Sequence, residues 1–140
     1  MNELNEAGAL SYLMVTMAAA DGQLGENELA RVASICDTLP VFEGMSRDLL
    51  VAHANACGVL LEDEDGIDNI LTLVREVLPE RLYETAYAVA VEVAAADLQA
   101  RQEELRLLEM LRDKLDLDKL FVAAIEHSAK VRFRLGSAPN

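Results

Sequence analysis

The sequence predicts an all-α protein, and three observations carry the prediction. Apolar residues recur at spacings of three and four through most of the 140 residues, and no stretch sustains the alternation of a strand. Only three prolines and seven glycines interrupt the chain, which leaves room for long helices. The stretches between periodic segments are two to eight residues long, which suits an antiparallel helical assembly.

The periodicity resolves into seven helices. The first runs from about Leu4 to Ala20, with Leu10, Leu13, Met14 and Met17 on one face. The second runs from Glu26 to Thr38, turns Leu29, Val32 and Ile35 inward, and stops before Pro40, because the residue ahead of a proline is steered out of the helical region. Ser46 is a suitable N-cap for a third, "RDLLVAHANACGVLL", which the acidic "EDEDG" stretch ends. The fourth, "IDNILTLVREVL", ends at Pro79, which then serves as first-turn proline for the fifth, "ERLYETAYAVAVEVAAAD". The sixth is "RQEELRLLEMLRDKL". Asp116 can cap the seventh, from about Lys119 to Phe133, and residues 135–140, "LGSAPN", form a frayed tail.

One domain, 1–140, accounts for this length, and 52% apolar content with few aromatics gives it an interior of Ala, Leu, Val, Ile and Met. There is no run of eighteen apolar residues, and "MNELNEAGAL" lacks the basic start of a secretory signal. Cys36 and Cys57 make no disulfide framework, so the expected compartment is the reducing cytoplasm.

Charge is distributed unevenly. Residues 1–70 hold only Arg31 and Arg47 against thirteen acids, a net of −11, whereas residues 71–140 hold ten bases and twelve acids. With −13 overall, the surface repels nucleic-acid phosphates and anionic lipid, which argues against direct binding of either. Cations and basic protein surfaces are the natural partners of the first half.

An internal repeat organises the chain. Shifted by 76 residues, Leu13–Ile35 lies over Val89–Leu111, matching Val15 with Val91, Asp21 with Asp97, Gln23 with Gln99 and Glu28 with Glu104. Two equivalent helix hairpins, "AAADGQLGENEL" and "AAADLQARQEEL", point to a pseudo-twofold arrangement. In each, an Asp ends one helix, where the backbone dipole disfavours it, and a Glu seven residues on opens the next, where the dipole favours it. Two compensations are open. The Asp can satisfy the free N–H groups of the following helix, which is ordinary corner chemistry. Alternatively, Asp21, Glu28, Asp97 and Glu104 can ligate a hard divalent cation, Ca²⁺, Mg²⁺ or Mn²⁺.

The first corner is not an EF-hand: a loop opening at Asp21 has Glu26 where glycine belongs and Val32 where the bidentate acid belongs. "LEDEDGID" fails the same test and reads as a solvated acidic loop, or as a dock for a basic partner.

The residues "YLMVTMAAADGQLGENELARV", and the weaker copy "VAVEVAAADLQARQEELRLLEML", resemble the TerB family of tellurite-resistance domains. The resemblance spans nearly the whole chain. It implies a compact seven-helix TerB-like fold with internal pseudo-symmetry, a role in bacterial stress response linked to tellurite resistance, and metal binding by the corner acids. It also implies work near the inner face of the membrane alongside the integral protein TerC. Leu98 stands where the first copy has Gly22, a departure that makes the first corner the better match.

Other constellations are weaker. His53 and Cys57 share a helix face, but zinc wants three or four ligands and the only other histidine is His127. No phosphate loop, nucleophile elbow or HExxH motif is present, so the chain reads as no enzyme and needs no organic cofactor. "KVRFRL" near the end is the one basic stretch, either closing the last helix or docking on an acidic surface. A spare apolar face would suggest a homodimer or a partner helix.

Overall fold

The computed structural model describes residues 4–20, 24–96 and 102–136. Among these are seven α-helices and two short 3-10 turns, with no strand: α1 (Glu6–Ala18), α2 (Glu26–Thr38), α3 (Arg47–Leu61), α4 (Gly66–Val77), α5 (Tyr83–Ala96), α6 (Gln102–Leu115) and α7 (Lys119–Arg132). The all-α expectation holds.

Two helices organise the rest. α1 packs against α2, α3, α4 and α5, so Gly8 through Met17 are buried without a break. Small residues make that possible. A Cβ on Gly8 would lie 2.6 Å from the Leu4 side chain and 3.1 Å from the His53 ring. The hydroxyls this helix carries inward turn back on its own carbonyls, Ser11 donating to Ala7 O and Thr16 to Tyr12 O, each at 2.8 Å. α5 is the second centre, packing on α1, α2, α6 and α7, with Tyr87, Val89, Ala90 and Val93 buried. One continuous core draws residues from all seven helices.

Under the 76-residue shift, the bounds of α1 fall within two residues of those of α5, and the bounds of α2 within one residue of those of α6. α1 packs on α2 and α3, and α5 packs on α6 and α7.

Helix ends depart from expectation where side chains find better caps. α1 begins at Glu6, because Asn5 accepts from Gly8 N at 2.8 Å. Ser46 caps α3 as expected, accepting from Leu49 N at 3.1 Å. Pro79 does not open α5; it precedes a 3-10 turn, Glu80–Leu82, that leads into the helix at Tyr83. Asp116 does not cap α7. It takes φ +51° and closes α6, where Leu117 N returns to Arg112 O, while Asp118 caps α7 by accepting from Leu120 N at 2.8 Å. Leu29, expected in the core, is half-buried. Between α3 and α4 the acidic turn Glu62–Asp65 is exposed, and Gly66 makes it possible: a Cβ there would overlap the Leu60 carbonyl oxygen and stand 2.9 Å from Leu61 Cα.

Candidate functional site

The four corner acids divide into two that the structure describes and two that it does not. Asp21 and Asp97 lie outside the described residues, and with them the separation of the carboxylates in each pair. Glu28 and Glu104 occupy equivalent places, each the third residue of its helix. That position puts a carboxylate beside free N–H groups and the positive end of the dipole.

Their surroundings differ. α2 opens on Gly25, which offers no side-chain cap, and the half-buried Glu28 folds back over it. Its Oε2 lies 2.6 Å from where a Gly25 Cβ would be, an approach only glycine leaves open. Glu104 is buried, with 8% of its surface exposed, on the turn before Leu107 and Leu108. Among the described residues, no three His, Cys, Asp or Glu side chains gather where they could hold one ion.

His53 and Cys57, the weak zinc pair, belong to the α1–α3 contact. Cys57 Sγ is 3.4 Å from Thr16 Oγ1, and burial pushes its thiol pKa up. The His53 ring stands edge-on to Tyr12 with centroids 5.7 Å apart, and burial lowers its pKa. Cys36 is half-buried, and loss of solvent, aided by Asp37 against Arg47, raises its pKa to about 11, which leaves it an unreactive thiol at neutral pH.

Two features had no signal in the sequence because distant segments build them. Tyr87, its ring buried in α5, donates to Glu126 of α7 and accepts from Arg112 of α6 at 2.8 Å, so one hydroxyl joins three helices. Burial first, then the bond to Glu126, raises its pKa to about 12. The second feature is a cleft of about 610 Å³ between the end of α2 and α7, floored by α5. Ile35, Leu39, Val89 and Ala129 make its wall largely apolar; among the described residues Glu92 and Arg132 are its charges, and they pair with each other at 2.7 and 3.0 Å.

No protein-family model matches the chain, and searches of curated proteins and of solved structures return no match. Among the described residues no helix is long and apolar enough to cross a membrane.

Proposed function

We propose that the protein is a non-enzymatic, TerB-like helical domain that binds a divalent cation at its paired corner acids. Asp21 with Glu28, and Asp97 with Glu104, are the ligands, and Ca²⁺, Mg²⁺ or Mn²⁺ is the ion. The setting is a tellurite-resistance or stress-response assembly in the cytoplasm, reaching the inner membrane face through a TerC-like partner.

One observation supports this reading above others: Glu104 keeps its carboxylate out of water on the first turn of α6. Hard divalent cations take carboxylate oxygens of this kind, and the sequence sets an aspartate seven residues ahead of Glu104, as it does ahead of Glu28. Calorimetric titration of metal-stripped protein tests the proposal. Saturable binding should be lost in Asp21→Asn/Glu28→Gln, in Asp97→Asn/Glu104→Gln, or in both. No heat with any of the three ions, from protein shown by circular dichroism to be folded, overturns it.

A second reading, a metal-independent module that recruits a basic protein, is favoured by the α3–α4 turn. There the exposed Glu62–Asp65 run adjoins Val59, 65% exposed, and Leu60, 40% exposed. Apolar contact rimmed by acid suits a basic amphipathic segment. Glu62→Lys/Asp63→Lys should abolish capture of such a partner and leave cation binding unchanged.

A further inference from the structure

Helix α7 carries two apolar stripes, and α5 covers one of them. Val122, Ile125 and Ala129 pack into the core. One residue before each of these stand Phe121, Ala124 and Ser128, and Val131 continues the series, so the spacing runs three, four, three. All four are exposed, Phe121 by 46% and Val131 by 45%. That spacing is the seam of a paired helix, turned about 100° from the buried stripe. The seam also runs into the cleft, because Ala124 and Ser128 form part of its wall.

We infer that this seam and the cleft beside it form the surface at which two copies of the chain pair, with α7 lying antiparallel to its counterpart about a twofold axis. Size complementarity supports it. Antiparallel pairing sets Phe121 against Val131 of the second copy and Ala124 against Ser128, and the twofold makes each contact twice. Small residues at the centre let the helices approach, and larger ones close the ends.

Charge supports both the partner and its orientation. Residues 116–134 carry Lys119, Lys130, Arg132 and Arg134 against Asp116, Asp118 and Glu126 in a chain of net charge −13. Near-neutrality makes this the face where two copies meet with least repulsion. Asp116 and Asp118 stand at the start of α7, with Lys130 and Arg134 at its end. Antiparallel packing brings acid to base, whereas parallel packing would bring like to like. Helix dipoles favour the same orientation.

Fourteen residues make a helix about 21 Å long. A single helix pair of that length falls short of the roughly 800 Å² per partner of a standard interface. The cleft wall, with Leu39 exposed on its α2 side, supplies further apolar area. The expected result is a dimer that dissociates in the micromolar range. The inference stands independently of cation binding.

Sedimentation equilibrium of the intact chain tests it. The mass should rise with concentration from 15.3 kDa towards twice that value. Phe121→Glu should hold the protein at the monomer mass with its helicity intact, and Val131→Glu should do the same if the first variant folds poorly. Orientation is read by oxidising a mixture of Ala124→Cys and Ser128→Cys chains, one of them tagged, with the parent chain as the control for Cys36 and Cys57. Antiparallel pairing predicts cross-linked heterodimer several-fold above either homodimer. A monomer at every concentration, a dimer indifferent to both glutamate substitutions, or a predominance of homodimeric cross-links would overturn the inference. So would a monomer whose binding to anionic phospholipid vesicles is lost in Phe121→Glu, which would assign the seam to a lipid surface.

Discussion

Helices α1 and α7 are similar in length and stand at opposite ends of the chain, yet they stand at opposite extremes of burial. Gly8 through Met17 of α1 are buried and touch four other helices, whereas α7 buries only Ala129 and rests mainly on α5. The difference lies in what fills the contacts. α1 is held almost entirely by shape and apolar area. α7 is held by a few aliphatic side chains, the Tyr87–Glu126–Arg112 group and the Arg132–Glu92 pair. A helix fastened largely by polar groups at a half-exposed seam can open while the hub stays folded.

The largest effect expected from this contrast is on stability. Leu13→Ala should cost about 3 kcal/mol in urea unfolding, because the cavity would lie in the middle of the hub. Ile125→Ala on α7 should cost about 1 kcal/mol, since its side chain is only half-buried. Equal losses would mean that the two helices belong to one cooperative unit with no weaker arm.

Tyr87→Phe comes next. Removing the hydroxyl leaves the buried ring in place but detaches α5 from the Arg112–Glu126 pair, which still joins α6 to α7 at 3.2 Å, and should cost about 1–2 kcal/mol. Amide exchange sharpens the result: protection should fall along α7 and stay unchanged along α1. A uniform fall across both helices would place the hydroxyl's role in global stability.

Smaller again is Arg132→Ala. The pair with Glu92 is bidentate but substantially solvent-exposed, so its loss should cost less than about 1 kcal/mol and less still in high salt. An effect that is large or indifferent to salt would mean the side chain acts through its packing at the cleft.

The slightest effect is on pH dependence and belongs to the hub. Burial holds the folded His53 imidazole below its ordinary value, so the unfolded chain takes up its proton more readily. Its contribution is complete above about pH 6.5, and it is lost as pH falls through the lower folded value. His53→Gln should flatten that part of the stability profile, and an unchanged profile would remove His53 as its source.

Much of this architecture was legible in the residues. The bounds of α2 and α3 follow from local chemistry, proline after the one and Ser46 before the other. Corner hydrogen bonding was harder to read, because two acids stand close enough in sequence to compete for the same cap. Asp116 and Asp118 both precede α7; the left-handed residue that ends α6 took the first, which left the second to cap. Of the candidate site, sequence spacing placed Glu28 and Glu104 at equivalent helix starts. It could not tell that one folds over Gly25 while the other is buried, since burial depends on how the helices pack around each side chain.

The sequence by itself determined the all-helical class, most helix bounds, the acidic first half and the matched corners, because period, caps and charge are local properties of the chain. Only the tertiary structure decided that α1 is enclosed on every side, that Tyr87 reaches Arg112 and Glu126, and that α2 and α7 leave a cleft over α5. Those depend on which faces meet across dozens of residues, and a periodic apolar stripe records that a face exists without recording what covers it.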